Sequence, residues 1–317
     1  MLTARKILIT GGCGFIGTNL VRRIGERSGS VTPLVVLDNE SMGTPDDLPA
    51  GVHYKRGDVR DLPTVAGAVA GCDTVVHLAA HTGVVDSIKD PTVDFEINAR
   101  GTFNVLLAAR DAGVKRVVLA STGGAILGDV PPPVNEDMVP NPQSPYGASK
   151  LAAEGYAHAF EGSYGLRVTA LRFSNVYGPR SHRKGSAVAH FFRQIRARQP
   201  ITVYGDGSQV RDFVFVEDVC DGILQAIDAD ASGVFQLGSG RPTSISTLLD
   251  EMRRVVGPQW PVEVHHAARR AGEVVQTYCD VSKAHRAFGY SPQVALEAGL
   301  PRTWRWLLGH QSGGLAD

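Results

Sequence analysis

Thr10-Gly11-Gly12-Cys13-Gly14-Phe15-Ile16-Gly17 decides the fold of this chain. The run before it, Lys6-Ile7-Leu8-Ile9-Thr10, reads as a buried strand, and the residues after it read as a helix through about Ile24. Glycines 12, 14 and 17 satisfy GxGxxG, and glycines 11, 14 and 17 satisfy GxxGxxG. A Cβ at such positions would block the tight bend, the backbone's approach to a pyrophosphate, or the packing of helix on strand. The helix N-terminus offers unpaired N–H groups and partial positive charge to phosphates. A glycine pattern alone is also found in ordinary turns, so the flanks decide. A second apolar run, Leu34-Val35-Val36-Leu37, ends at Asp38, about 20 residues beyond the turn, where an acid can bind both ribose hydroxyls of a dinucleotide. That acid favours NAD, because it would repel the extra phosphate of NADP. Asp58, in Gly57-Asp58-Val59, is placed to hold the adenine, although a plain turn explains the same residues.

Further outward, the first half keeps alternating short apolar runs with helical stretches. Val52-His53-Tyr54, Thr74-Val75-Val76-His77-Leu78 and Val117-Val118-Leu119-Ala120 read as strands, with a long helix from about Asp94 to Ala112. Continuous apolar strands separated by helices predict a doubly wound parallel sheet covered on both faces, a Rossmann-type α/β fold. Beyond about Arg180 the pattern changes. Helices are expected near 187–198, 217–228, 244–256 and 296–308, mixed with strands at 201–204 and 234–237. The expected division is a dinucleotide-binding domain over 1–180, to which later segments can return. A smaller, mainly substrate-binding α/β domain over 181–310 follows, with a disordered tail at 311–317.

The bulk numbers narrow the class. The chain has 317 residues, 43% of them hydrophobic, which is enough for a sizeable core. Lysine plus arginine equals aspartate plus glutamate at 32 each, so nothing points to nucleic acid or a membrane surface as partner. Cys13, Cys72, Cys220 and Cys279 form no CxxC pair, which argues against a zinc site or disulfide framework. No apolar run approaches the ~20 residues that span a bilayer, and no signal region precedes the first strand, so a cytoplasmic location is expected.

Tyr146-Gly-Ala-Ser-Lys150 carries the chemistry. Tyrosine and lysine four apart on a helix face the same side. A free phenol, with a pKa of ~10, is a poor base at neutral pH. A nearby ammonium and a positive nicotinamide ring favour the phenolate, which can then take a proton from a sugar hydroxyl. Ser121-Thr122 ends the preceding strand, where Thr122 is placed to share that proton.

Taken together, these stretches resemble the nucleotide-sugar epimerases and dehydratases of the extended short-chain dehydrogenase/reductase family. The resemblance runs over roughly residues 5–308. It rests on ILITGGCGFIG, LDN at 37–39, GDVRD, HLAA at 77–80, ST at 121–122, SPYGASK, LRFSNVYGPR at 171–180, VYGDGSQVRDFVFVEDV at 203–219 and RAGE at 270–273. It implies a cofactor site for NAD built from Gly11, Gly14, Phe15, Ile16, Gly17, Asp38, Asn39, Asp58, Val59, Leu78, Ala79 and Ala80, together with Tyr146 and Lys150. It implies Thr122, Tyr146 and Lys150 as the catalytic set. Asn175, Val188, Tyr204, Arg211 and Arg270 would join Thr122 and Tyr146 around a nucleotide-diphosphate sugar, with the arginines on its phosphates. A homodimer through helices near 94–112 and 147–163 is implied as well. The chain departs from the family's pattern at Leu127, often a tyrosine, at an apparent extra residue in Thr122-Gly123-Gly124-Ala125, and at Ala271, often a proline.

The reaction follows from what is missing. Similar 4,6-dehydratases place an Asp-Glu pair right after the threonine, where this chain has Gly123-Gly124, and similar decarboxylases carry a glutamate in that stretch. A 4-epimerase needs only the tyrosine, a hydroxyl partner and NAD. The resemblance therefore implies 4-epimerisation, with UDP-glucose/UDP-galactose first because Asn175 fits the neutral-hexose enzymes. UDP-glucuronate stands second, since the basic run Arg180-Ser-His-Arg183-Lys184 could receive a carboxylate. Dehydratase, decarboxylase or carbonyl-reductase chemistry, and a catalytically idle NAD-binding scaffold, are the remaining alternatives.

Overall fold

The computed structural model describes residues 4, 6–28, 33–269 and 274–310. The chain opens with β1 (Ile7–Thr10), α1 (Phe15–Ser28), β2 (Leu34–Asp38), β3 (His53–Arg56), α2 (Leu62–Val69) and β4 (Thr74–His77). Three helical pieces follow, α3 (Val84–Lys89), α4 (Pro91–Asp94) and, after a π-helical turn at Phe95–Arg100, α5 (Gly101–Asp111). Then come β5 (Arg116–Thr122), the short α6 (Gly123–Leu127), the long α7 (Pro145–Tyr164), β6 (Arg167–Phe173) and β7 (Asn175–Tyr177). The last part runs through α8 (Ala187–Arg196), β8 (Ile201–Tyr204), β9 (Val210–Phe215), α9 (Val216–Asp228), β10 (Gly233–Leu237), β11 (Pro242–Ser244), α10 (Ile245–Val256), β12 (Val264–Ala267), α11 (Ser282–Phe288) and α12 (Leu296–Gly309).

Seven strands form one parallel sheet in the order β3-β2-β1-β4-β5-β6-β10. The wholly buried runs Ile7–Thr10, Leu34–Asp38 and Thr74–His77 belong in such a sheet, because helices cover both faces. One face packs Ile9, Val36 and Val118 against α1 and α9; the other packs Leu8, Val75 and Leu119 against α2, α5 and α7. The order reverses between β1 and β4, and ligands of such sheets bind beyond the strand ends at that point.

β10 lies beside β6 in this sheet although it comes from the last third of the chain. A second core forms around Phe192, Phe213, Leu248, Met252 and Trp304, with the small sheets β11-β9-β7 and β12-β8. Arg23 of α1 grips Asp221 of α9 through two contacts of 2.8 Å. The Asp218 carboxylate accepts the backbone N–H groups of Gln293 and Val294, tying α9 to the stretch that leads into α12.

The helix expected from Asp94 to Ala112 is interrupted. At Phe95–Arg100 it widens to a π-helical turn, where Asn98 is occupied by tertiary bonds. Its side-chain amide donates to the Asp94 carboxylate at 2.8 Å and to the His81 carbonyl at 2.9 Å, and its oxygen accepts the His81 N–H at 2.9 Å. Such turns often mark functional sites. Among the described residues no helix is long and apolar enough to cross a membrane, and no group of histidines, cysteines and acids is arranged to hold a metal. Arg270 and the tail at 311–317 lie outside the described residues.

Candidate active site

The strand-end residues expected to serve the cofactor and the chemistry sit at the carboxyl edge of the large sheet. The glycine turn leaves β1 at Thr10, Asp38 ends β2, Leu78–Ala80 leave β4, Thr122 ends β5, and Asn175 opens β7 just after β6. Gly11 adopts φ +71°, and a Cβ there would lie 2.6 Å from the Ala79 backbone nitrogen, so the turn and the Leu78–Ala80 segment are pressed together. Gly11 N–H donates to Leu37 O at 2.8 Å, and Leu78 N–H to Thr10 O at 3.0 Å. The first turn of α1 carries no acidic side chain, which leaves its N–H groups to an anion.

Asp38 is buried, and burial raises its carboxyl pKa against the pull of its hydrogen bonds. It accepts Cys13 N–H at 2.9 Å and Glu40 N–H at 2.8 Å, so its oxygens are aimed across the mouth of the glycine turn. Asn39 donates to Asp58 at 2.9 Å, and Arg60 holds the same carboxylate at 2.8 and 2.9 Å, keeping it ionised well below the usual range. Val59 is buried beneath this edge. The sequence reading missed Glu40, whose carboxylate adds negative charge beside Asp38 and accepts the Tyr54 hydroxyl at 2.6 Å.

Ser144 caps α7 by accepting Gly147 N–H at 3.2 Å, and Pro145 fills the first helical position. Gly147 lets α7 lie directly on the Ala125 carbonyl of α6, which brings Tyr146 to the end of β5. Tyr146 N–H is further anchored on the Ser87 hydroxyl at 3.2 Å. Thr122 stands at the N-cap of α6 yet makes no side-chain cap bond, and its hydroxyl lies where it lowers the pKa of the Tyr146 phenol. Ser121, one residue earlier, donates instead to Glu154, two turns further along α7, at 2.6 Å.

Lys150 is buried and donates to the Ala120 carbonyl at 3.0 Å; burial pushes its pKa down to about 8, against the charges of Asp94 and Glu154. The sequence argument expected a lowered phenol pKa. In the protein alone, burial and then the Asp94 charge push Tyr146 up to about 12, with only the Thr122 hydrogen bond acting downward. Asp94 is fully buried and one of its oxygens has no hydrogen-bond partner. Neither Asp94 nor Asn98 was picked out in the sequence, although their spacing of four on a helix beside the HLAA stretch is a usable signal.

The expected substrate residues are more dispersed. Asn175 is half-buried on β7, Tyr204 ends β8, and Arg211 on β9 donates to the Val210 and Val275 carbonyls at 2.9 and 3.4 Å. The Val188 side chain is buried in the second core.

A dinucleotide turn, a strand-end acid and a Tyr–Lys pair on one sheet edge define a Rossmann-type enzyme of nicotinamide chemistry. The NAD dependent epimerase/dehydratase family model matches residues 7–238, and the chain belongs to that family. It is 35% identical to the UDP-glucose 4-epimerase of Mycolicibacterium smegmatis over 94% of this chain and 97% of that protein. It is also 35% identical to the UDP-glucuronate 4-epimerase of Thermodesulfobacterium geofontis, over 73% of this chain and 71% of that one. The crystal structure of the Thermus thermophilus UDP-glucose 4-epimerase in complex with NAD superposes with a TM-score of 0.88 at 35% identity, covering 96% of this chain and 99% of the other.

Proposed function

We propose that the protein interconverts a UDP-sugar and its 4-epimer using NAD, with UDP-glucose and UDP-galactose as the leading pair. The observation that carries this is the juxtaposition of Thr122 and the Tyr146 phenol at the end of β5, followed by Gly123 and Gly124 rather than by acids. A sugar hydroxyl set against that pair can lose its proton to Tyr146. An elimination across C5 and C6 would need a further acid and base, and the residues after Thr122 supply none. The matched UDP-glucose 4-epimerases support the same reading.

In this reading the glycine turn, the α1 N-terminus and Asp38 hold NAD, which when bound accepts hydride from C4 and returns it. Thr122, donating to Tyr146, favours the phenolate, which takes the O4 proton to become the phenol and later gives it back. Lys150, fixed on the Ala120 carbonyl, supplies positive charge and orientation. The 4-keto sugar rotates about its diphosphate link between the two transfers. Asn175, Tyr204 and Arg211 hold the nucleotide part. The reading includes a homodimer through the π-turn/α5 and α7 faces, where Phe95, Tyr156 and Tyr164 are exposed; sedimentation analysis checks it.

UDP-glucuronate is the second substrate reading, favoured by the basic loop at 180–184. A proton NMR time course on UDP-glucose and UDP-glucuronate separately tests both. Conversion to the 4-epimer without net cofactor turnover supports the proposal and identifies the sugar. A new deoxy or pentose signal overturns it.

A further inference from the structure

The loop at 178–184 presents an ammonium whose surroundings are electrically unbalanced. Lys184 Nζ donates to the Val176 carbonyl over a long 3.4 Å and lies 5.2 Å from the centre of the Phe15 ring. Among the described residues no carboxylate pairs with it. Burial alone pushes its pKa down to about 8, with no acid acting in the other direction. Lys184 is half-buried, and a charge drawn partly out of water without a counter-charge is costly, so a protein keeps one where something else supplies the partner.

The placement is built into the backbone. Lys184 N–H donates to Ser181 O at 2.9 Å, and the Ser181 hydroxyl to Gly178 O at 2.7 Å. Arg193 of α8 donates to the His182 and Lys184 carbonyls, each at 2.7 Å. Asn19 of α1 donates to Pro179 O at 3.0 Å, which seats the loop over the start of that helix. The other basic residues of the run are differently engaged. Arg180 contacts Asn19 at 3.4 Å, Arg183 is exposed, and His182 lies among the rings of Trp306 and His310. Lys184 alone lies between Phe15, which opens α1, and β7, which carries Asn175.

We infer that Lys184 is a specificity-determining residue that receives one anionic oxygen group of the nucleotide sugar, either a sugar carboxylate or a diphosphate oxygen. The inference rests on the nucleotide-sugar reading above. A lysine suits it, being a compact point charge where an arginine would present a fork.

The test uses the NAD-loaded enzyme, with Lys184→Met to keep the stem and remove the charge, and Lys184→Arg to restore charge. Calorimetric affinities for UDP, UDP-glucose and UDP-glucuronate are read with bound NAD and melting temperature. Lys184→Met is expected to weaken the anion-bearing ligand about 10-fold or more, with partial recovery in Lys184→Arg. Weakening of UDP-glucuronate alone identifies a carboxylate; equal weakening of all three with NAD retained identifies the diphosphate. Affinities within twofold for all three, or a loss that tracks released NAD, overturn the inference. If the wild type binds these ligands but epimerises neither sugar, the epimerase reading fails while the Lys184 result stands. Binding of none of them overturns both.

Discussion

The hydroxyl of Ser121 is committed to Glu154 at 2.6 Å, which leaves Thr122 as the hydroxyl that meets Tyr146. Adjacent strand residues point to opposite faces, so a one-residue shift at the end of β5 would exchange these roles. Thr122→Val is therefore expected to lower kcat about 10- to 100-fold, the lower part of what a proton-transfer partner contributes. Thr122→Ser should keep most of the activity. Ser121→Ala should leave kcat within a few-fold and lower the melting temperature instead. A larger kcat loss in Ser121→Ala than in Thr122→Val would reverse the assignment.

Tyr146→Phe removes only the hydroxyl from a ring anchored by the Ser144 cap and the Ser87 contact. The expected loss is about 1,000-fold or more in kcat, with NAD binding and melting temperature near wild type. Activity within tenfold of wild type would remove Tyr146 from the proton path.

Gly11 occupies the left-handed region at φ +71° against the Ala79 backbone. Gly11→Ala both strains the backbone and forces β1 and β4 apart at their carboxyl ends. The variant is expected to fold with a lower melting temperature and to have lost tight NAD binding, read by fluorescence titration. Unchanged NAD affinity would place the dinucleotide elsewhere.

Much of this was legible in the sequence because it is local. The glycine turn, Asp38 and the Tyr146/Lys150 spacing are each set by a few neighbouring residues, and the wholly apolar runs announce a sheet buried on both faces. What escaped depends on long-range packing. The spacing of Asp94 and Asn98 marks one helix face, but the residues around them do not show that Asp94 will be sealed beside Tyr146 and Lys150, or that Asn98 will clamp His81. The raised pKa of Tyr146 in the protein alone is a burial effect, whereas the lowering expected from the sequence takes the neighbouring ammonium together with a bound nicotinamide ring. The three-residue strands β7 and β11 lack the length that makes periodicity readable.

Glu154 and Arg172 form a bidentate pair at 2.9 and 2.8 Å with both side chains nearly inaccessible. Glu154 follows Lys150 by one helical turn, so the pair buttresses the catalytic face of α7. Glu154→Leu leaves a buried guanidinium without its partner and is expected to cost about 3–5 kcal/mol of stability. Glu154→Leu with Arg172→Met should recover most of that loss in urea unfolding. If the double variant is no more stable than the single one, the energy lies in packing rather than in the uncompensated charge.

His77 sets the acid side of stability. Its Nδ1 lies 2.7 Å from Thr10 Oγ1 and its Nε2 3.0 Å from Thr102 Oγ1. Thr102 already donates its proton to Asn98 O at 2.5 Å, so Nε2 must be the donor and Nδ1 the acceptor of the neutral ring. Burial, aided by the charge of Lys150, pushes its pKa down from 6.5 to about 3. Between those values the unfolded chain binds a proton that the folded protein refuses. The contribution of His77 is thus fully present above pH 6.5 and is lost as pH falls toward 3, by about 1.4 kcal/mol per unit. Urea unfolding from pH 6.5 to 5.0, above most carboxylate titrations, should show this slope. His77→Gln should be less stable at pH 7 and should lack that part of the slope. An identical slope in the variant would mean that other groups control the acid limb.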